Sequence, residues 1–355
     1  MMASVKPLIG RIKRADSGTV SQWAKSRARA AAARSGFLVR RLDEEGKRYL
    51  FPSYDEKRDL PEGALAALSP DSPRLAELRA AYEASDSAAS VPTQWSDGFL
   101  KKNLSLAWFR GDNAYVWQLR MYADSARTRT FLTLLDIESR DRLGLLKRLT
   151  EDGLFGAFTF TYGDRSPVSR DLLDSVNEIN YLDAQMGLSG IEDLTVLDIG
   201  AGYGRLAHRM ATALDNLAAY DCTDAIAVST FLCEYYTKFR GVSDRVSVVP
   251  LSEVSTGLRD HYDVAVNIHS FSECSRSAIQ WWMARIAERD ITWLLIVPNT
   301  PGELLSTEFD GSRQDFLPDV LAAGYEIADR REIYGSPELR EMIGVHDEFV
   351  LFRRR

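Results

Sequence analysis

The sequence is poor in the residues that build disulfide frameworks and metal centres. It has three cysteines (Cys222, Cys233 and Cys274) and four histidines among 355 residues. Three cysteines cannot form a fully paired framework, and no CxxC or Cys/His spacing typical of structural zinc sites occurs. We therefore predict reduced, buried thiols in a cytoplasmic protein without a structural zinc site.

Long apolar runs are also missing. No stretch reaches the ~18 uninterrupted apolar residues of a transmembrane helix, and the N-terminus lacks the apolar segment of a secretory signal. Apolar residues make up 45% and charged residues 27% of the chain, which is ordinary for globular proteins. A chain of this length is expected to form two ordinary domains with a large core and no membrane span.

Positive charge is concentrated at the N-terminus. Residues 1–41 contain ten Lys/Arg and one acid, Asp16, although the whole chain has a formal net charge of -7. The acidic remainder argues against nucleic acid as the main partner. Three interpretations of this basic arm stay open: a solvated helix, an arm exchanged between subunits of a homo-oligomer, or a patch for anionic surfaces.

The patterns along the chain predict three segments. Residues 1–41 form a basic helical arm, 42–165 a mainly helical cap region and 166–355 an α/β domain. The cap region contains an amphipathic helix at 74–84 and a stretch dense in aromatic residues at 94–122. After about residue 168, apolar runs typical of buried strands alternate with helical stretches.

This alternation predicts a doubly wound, Rossmann-like sheet. The predicted strands are Leu194–Ile199, Leu217–Tyr220, Val246–Val249, Tyr262–Ile268, Trp293–Val297, Tyr325–Ala328 and Glu348–Phe352. The predicted helices are 171–186, 203–214, 225–239, 276–289 and 313–323. Between Ser336 and Glu348 there is no room for a crossover helix of about ten residues, so the last strand is expected to run antiparallel.

A glycine-rich loop follows the first predicted strand. The segment Asp198-Ile-Gly-Ala-Gly-Tyr-Gly204 leads from the strand into a helix and contains Gly200, Gly202 and Gly204. Glycine is needed where the backbone approaches a ligand closely, and a helix N-terminus offers free amide groups. At the switch point of such a sheet, the loop predicts a nucleotide-like ligand.

The spacing of the glycines and the nearby acidic residues indicate which nucleotide-like ligand the loop binds. The dinucleotide fingerprint GxGxxG would need glycine where this chain has Arg205. Asp198 would repel a pyrophosphate but suits the ammonium and sulfonium groups of S-adenosylmethionine. Asp221 and Asp224, near the end of the second strand, are both candidates to hold ribose hydroxyls. Asp224 is preferred because it opens the next helix.

Several segments resemble known methyltransferases. Val196–Leu206 resembles motif I of class I S-adenosylmethionine-dependent methyltransferases, a likeness that extends over residues 170–355 and implies a seven-strand sheet with a reversed last strand. A narrower resemblance is to a family of bacterial sugar O-methyltransferases, which implies a deoxysugar of a natural product or a polysaccharide sugar as substrate. The segments that carry this narrower resemblance are 108–118, 169–175, 267–273 and 346–349.

His269 and Glu273 are the predicted catalytic residues. A sugar hydroxyl is a poor nucleophile until its proton leaves, so a nearby base is needed. His269 follows the strand that ends at Ile268, at the carboxyl edge of the sheet, and Glu273 is placed to orient the imidazole or to bind a sugar hydroxyl. The alternative is a histidine that merely lines the pocket. A divalent metal such as Mg²⁺ is another way to activate a hydroxyl, but no ligand spacing indicates one.

The aromatic stretch of the cap region is the predicted source of sugar contacts. It combines aromatic faces with polar groups in Trp108, Arg110, Asn113, Tyr115 and Gln118. The alternative is that its aromatic residues belong to a helical core face.

Arg170 also has two interpretations. Ser169-Arg-Asp-Leu matches a helix N-cap, whereas the family resemblance places Arg170 near the cofactor carboxylate. Taken with the motifs above, the sequence predicts an S-adenosylmethionine-dependent O-methyltransferase that acts on a small-molecule sugar or glycoside. The rival hypotheses are an O-methyltransferase for a non-sugar hydroxyl, such as a polyketide, and a non-catalytic binding or scaffold protein.

Overall fold

The computed structural model describes residues 54–355 except 112, 114 and 117–124, and a few residues between 27 and 47. The chain divides into two compact units, 1–52 and 53–355, and the second contains the sheet. Gln118 and most of the basic arm lie outside the described residues, so their predicted roles stay predictions.

A seven-stranded sheet forms the framework of the second unit, in the order β3-β2-β1-β4-β5-β7-β6. The strands are β1 Leu194–Ile199, β2 Leu217–Thr223, β3 Val246–Val248, β4 His261–Ile268, β5 Asp290–Val297, β6 Tyr325–Glu332 and β7 Glu348–Arg354. Strands β1 to β5 pair in parallel, and β7 lies antiparallel between β5 and β6. The predicted Rossmann-like sheet of seven strands with an antiparallel last strand is therefore confirmed.

Helices precede the sheet and alternate with its strands. Before the sheet lie α1 Glu56–Asp59, α2 Ala64–Ala67, α3 Pro73–Glu83, α4 Asp97–Asn103, α5 Ala126–Arg140 and α6 Leu145–Arg148. The following helices are α7 Arg170–Met186, α8 Arg205–Ala213, α9 Ala227–Phe239, α10 Val254–Gly257, α11 Arg276–Ala287, α12 Leu317–Ala322 and α13 Pro337–Ile343. Between Ser336 and Glu348 the chain forms the seven-residue α13, which is shorter than a crossover helix of about ten residues.

Helix α3 of the cap region packs against the carboxyl edge of the sheet. Leu75, Leu78 and Tyr82 form the buried face of α3, as the helical spacing predicts. The Tyr82 hydroxyl donates to the main-chain oxygen of Asp224 (3.1 Å), just beyond β2, and accepts from the amide of Leu251 (2.9 Å), beyond β3. The ends of these strands are therefore covered by protein rather than open to solvent.

The sheet is buried most completely at its centre. Residues 196–199 of β1, 264–267 of β4 and 294–297 of β5 are buried without interruption, as expected for parallel strands covered on both faces. Over the described part of the chain, no helix combines the length and the apolar character that crossing a bilayer requires.

Candidate functional site

A cavity of about 610 Å³ lies at the carboxyl ends of the central strands. Ile199 of β1, Asp224 beyond β2, His269 beyond β4 and Val297 of β5 contribute to its wall. Cap residues, the first turns of α7 and the loop before β7 complete the wall. This is the edge at which open α/β sheets bind ligands, and the volume lies in the usual range for small-molecule sites.

The three glycines of the loop after β1 have different tasks. All three adopt positive φ, at +77° for Gly200, +58° for Gly202 and +82° for Gly204. Gly200 and Gly202 line the cavity. Gly204 does not line it. A Cβ there would lie 2.9 Å from the Sγ of Cys233, so Gly204 instead allows the loop to pack closely against α9.

Asn267 connects the glycine loop to the turn after β4. Its Nδ2 donates to the main-chain oxygen of Ile199 (2.8 Å) and to Ser270 Oγ (2.6 Å), and its Oδ1 accepts from the amide of Phe271 (3.0 Å). The residue is fully buried, so water does not compete for these hydrogen bonds. Asn267 thus fixes the distance between the glycine loop and His269, which precedes Ser270.

Gly200→Ala should disturb this junction. Its new Cβ would lie 2.1 Å from Ser270 Oγ, in addition to the cost of positive φ. We expect a lower free energy of unfolding and weaker binding of adenosyl ligands, measured by urea denaturation and calorimetry. Gly241→Ala is the matched control, because Gly241 has φ +67° but no atom within 4 Å of the position that a new Cβ would take. Equal effects of the two substitutions would contradict a close approach of Ser270.

Asp198 and Asp224 place two buried carboxylates beside the glycine loop. Asp224 accepts hydrogen bonds from the amides of Gly202 (3.0 Å) and Ile226 (2.8 Å), and Asp198 accepts one from the Tyr220 hydroxyl (2.8 Å). Burial raises the pKa of each carboxyl to about 7. Both line the cavity, and groups so perturbed in a cleft are typical of functional sites.

Asp221, the other ribose candidate from the sequence, lies elsewhere. Its carboxylate accepts from the Tyr262 hydroxyl (2.6 Å) and from Arg259 Nε (3.1 Å) and does not line the cavity. Successive residues of a strand point to opposite faces, and Asp221 lies within β2 whereas Asp224 lies beyond its end. The structure therefore corrects the prediction for Asp221 and leaves Asp224 as the candidate.

His269 projects into the cavity from an unusual backbone conformation. It adopts φ +67° and ψ -32°, and its amide donates to the main-chain oxygen of Val297 (2.7 Å). Non-glycine residues in such conformations are strained and cluster at functional sites. Its Nε2 lies 3.5 Å from Oδ2 of Asp347, which precedes β7 and also lines the cavity.

Glu273 lines the same cavity but has other partners. Its Oε2 accepts from the indole Nε1 of Trp95 (2.8 Å) and its Oε1 from Asn299 Nδ2 (3.1 Å). The acid beside the imidazole is Asp347, so the predicted orienting role of Glu273 is corrected. Glu273 instead joins the cap region to the ends of β4 and β5.

Arg110, predicted to contact substrate, has no exposed surface. Its guanidinium donates to Glu151 (2.7 Å) and Asp171 (3.2 Å). Arg209 also donates to Glu151 (2.9 Å), and the Tyr203 hydroxyl to Asp171. Burial alone would raise the pKa of Glu151, but the charges of Arg110 and Arg209 outweigh it and hold that pKa below its ordinary value. Arg110 therefore joins the cap region to α7 and α8 and does not line the cavity.

The other candidates from the aromatic stretch have different environments, and only some of them line the cavity. Trp108 stacks on Tyr54 with ring centroids 5.0 Å apart, and Asn113 donates to three main-chain oxygens of its own turn. Neither lines the cavity, so both are corrected to structural roles. Tyr115 does line it, with its hydroxyl 2.7 Å from Ser229 Oγ and its ring stacked on Trp95 at 5.3 Å.

The Ser169–Arg170 segment forms the start of α7, as the N-cap interpretation predicts, while the contact of Arg170 with the cofactor carboxylate stays a prediction. The Ser169 side chain accepts from the amide of Leu172 and caps α7. Arg170 lines the cavity, with its Nε 3.2 Å from Asp174 Oδ2.

The remaining histidines divide between core, surface and cavity. His208 is buried beside Tyr236, and burial lowers its pKa to about 2, so it is neutral. His261 is exposed at the start of β4, while His346 lines the cavity.

Several residues that line this cavity had no role in the sequence analysis, among them Trp95, Asp174, Glu178 and Asp347. Asp347 belongs to the segment 346–349, which carried part of the family resemblance but no role. Asp174 and Glu178 follow Arg170 at helical spacing, a signal that was available in the sequence. Among the described residues, no cluster of three or more His, Cys, Asp or Glu could hold a metal ion.

Comparisons with known proteins give likenesses of fold. No protein-family model and no curated protein matches the chain. The cyclase SpnF is 15% identical with a TM-score of 0.40, over 64% of this chain and 95% of that one. Magnesium protoporphyrin IX methyltransferase from Synechocystis PCC 6803, solved with bound SAM, is 13% identical with a TM-score of 0.38, over 68% and 100%. A SAM-dependent methyltransferase from Aquifex aeolicus is 14% identical with a TM-score of 0.36, over 46% and 84%.

Proposed function

We propose that this chain is an S-adenosylmethionine-dependent O-methyltransferase that methylates a hydroxyl group of a sugar. The observation that carries the proposal is the position of His269. Its imidazole, flanked by Asp347, shares one cavity with the glycine loop and Asp224. A cofactor cradle and a base are thereby brought within one small volume.

The residues around the glycine loop fit this cofactor. Gly202 lines the cavity with no atom within 4 Å of the position that a Cβ would take, and the Asp224 carboxylate lies in the cavity wall at the end of β2, where ribose hydroxyls are held in such folds. Asp198 suits the ammonium group, and Arg170 is the candidate for the carboxylate. When bound, S-adenosylmethionine supplies an electrophilic methyl group.

The remaining steps belong to the chain's own residues. His269 accepts the proton of the acceptor hydroxyl, and Asp347, with its Oδ2 3.5 Å from Nε2, orients the imidazole. Trp95 and Tyr115 line the cavity from the cap side, where their stacked rings would help to exclude water and to align the acceptor for methyl transfer. Without that alignment the displacement would be slow even with a base present.

A sugar acceptor is supported by the polar groups of the cavity. Asn177, Asn299 and Asp347 line it with amide and carboxylate groups. Such groups donate to and accept from hydroxyls, which a sugar presents in numbers. The assay for the proposal is release of S-adenosylhomocysteine with a panel of glycosides, nucleotide sugars and aglycones.

Affinity for S-adenosylhomocysteine should fall as the pH decreases through 7. Burial raises the pKa of Asp198 to about 7 and that of Asp224 to about 7, and both carboxylates hold the ligand in their ionised form. Lower pH protonates them, whereas above pH 7 the affinity should level off. At pH 7 binding should release protons, so the calorimetric enthalpy should change with the ionisation enthalpy of the buffer.

Asp224→Asn tests the assignment directly. It should weaken binding at and above pH 7 and flatten the pH dependence, because one of the two titrating carboxylates is gone. Well below pH 7 the deficit should shrink, because wild-type Asp224 is then protonated and neutral like the amide. Asp221→Asn is the matched control and should bind like wild type, because Asp221 does not line the cavity. If S-adenosylhomocysteine does not bind to wild type, or if Asp224→Asn binds it as tightly as wild type, the proposed cofactor site is wrong.

A further inference from the structure

The charged side chains of the cavity restrict what enters beside the cofactor. Among the described residues, seven carboxylates and two guanidinium groups line it. Both guanidinium groups face carboxylates of α7. Arg205 donates to both oxygens of Glu178 (2.8 and 2.9 Å), and Arg170 lies 3.2 Å from Asp174. The positive charges of the cavity are therefore already matched.

The start of α7 is also unsuited to a phosphate. A helix N-terminus normally attracts anions through its free amides. Here the Ser169 side chain accepts from the amide of Leu172, and Asp171 in the first turn lines the cavity with its own negative charge. Asp171 is bound by the buried Arg110 and by Tyr203, which hold it in place.

Four carboxylates remain without a guanidinium partner in the described contacts: Asp198, Asp224, Glu273 and Asp347. Asp198 and Asp224 flank the glycine loop. Glu273 accepts from an indole and an amide, and Asp347 lies beside an imidazole. In the proposed function Arg170 is directed to the cofactor carboxylate, which leaves no arginine to receive a second anion there. The cofactor ammonium group is directed to Asp198, but an anionic acceptor would still meet like charge at Asp224, Glu273 and Asp347.

We propose that the acceptor enters as a glycoside without phosphate or carboxylate groups, and not as a sugar attached to a nucleoside diphosphate. A glycosyl transfer, which removes the nucleoside diphosphate from the sugar, then precedes the methylation. The inference rests on the proposed function of the same cavity and narrows its substrate class.

Nucleotide-sugar binding tests the inference. The probes are dTDP-glucose and UDP-glucose, titrated at millimolar concentration into the complex with S-adenosylhomocysteine. We expect no saturable binding and no S-adenosylhomocysteine release above the acceptor-free rate when S-adenosylmethionine is supplied. Saturable one-to-one binding, or turnover of either nucleotide sugar, would overturn the inference. If S-adenosylhomocysteine itself does not bind, the proposed function is wrong. This outcome is distinct from nucleotide-sugar binding, which contradicts only the inference about the acceptor.

Asp174→Asn tests the electrostatic cause. It removes the carboxylate beside Arg170 and should make dTDP-glucose binding measurable. The Kd of the variant should lie about tenfold or more below the lowest Kd that the wild-type titration still allows. Glu138→Gln is the matched control, because Glu138 pairs with Arg165 (3.0 Å) and does not line the cavity. An Asp174→Asn variant that still binds S-adenosylhomocysteine but gains no nucleotide-sugar affinity would overturn the charge explanation.

Discussion

Replacing His269 with asparagine should lower kcat by about 10²–10⁴-fold, the usual contribution of a general base. Asparagine is chosen because it tolerates positive φ, and His269 adopts φ +67°. The turn after β4 should therefore keep its conformation while the base is lost. Affinity for S-adenosylhomocysteine, measured by calorimetry, should stay close to wild type, because the glycine loop and Asp224 are unchanged.

The control is a second histidine, at the opposite end of β4. His261 begins β4 and is exposed, whereas His269 follows its other end. His261→Asn should leave kcat unchanged. Asp347→Asn should reduce kcat less than His269→Asn, because the imidazole stays but loses the carboxylate 3.5 Å from its Nε2.

Two outcomes would remove the base assignment. The first is a His269→Asn variant with wild-type kcat, which would make His269 a residue that only lines the cavity. The second is loss of S-adenosylhomocysteine affinity in that variant, which would make it a cofactor contact. The acceptor for these assays is the one identified by the S-adenosylhomocysteine release panel.

The sheet could be predicted because its strands carry their own signal. Buried parallel strands such as β1 and β4 consist of continuous apolar residues, and burial on both faces imposes that pattern locally. The sequence signal of the glycine loop is equally local, because the strand end, the acid, the glycines and the helix start follow one another within Asp198–Arg205. Each of these features is decided by neighbours in the chain.

The partners of His269 and Arg110 depend on contacts between distant segments. Glu273 lies one helical turn from His269 in sequence, so it was the natural candidate to orient the imidazole. The chain instead turns after β4 into a short 3-10 segment, Ser270–Glu273, and Asp347 approaches from the loop before β7. Spacing along the chain cannot reveal such a neighbour.

Arg110 was misassigned for a related reason. Arginine is seldom fully buried unless it is paired, so an arginine in an aromatic stretch suggests a ligand contact. Its partners Glu151 and Asp171 lie far along the chain, one before and one within α7. Only the folded arrangement distinguishes a buried ion pair from a substrate contact.

Arg110→Met should lower the free energy of unfolding by about 3–5 kcal/mol, the typical cost of removing one partner from a buried ion pair. Arg110 and Glu151 have no exposed side-chain surface, and the Asp171 side chain is 3% exposed. Without the guanidinium, Asp171 keeps the hydrogen bond from Tyr203 but loses its balancing charge. Urea denaturation measures the change.

Two further variants separate the ionic contribution from loss of packing. Arg165→Met removes an exposed pair with Glu138 and should leave the unfolding midpoint close to wild type, because solvent screens such pairs. In the double variant Arg110→Met/Asp171→Asn the unbalanced Asp171 carboxylate is gone. The free energy of unfolding should therefore fall by less than the sum of the decreases in the two single variants. Additive losses would mean that Arg110 and Asp171 are not coupled, so that the cost of Arg110→Met comes from packing and from its pair with Glu151. Because Tyr203 of the glycine loop shares Asp171, Arg110→Met should also weaken S-adenosylhomocysteine binding, even though Arg110 does not line the cavity.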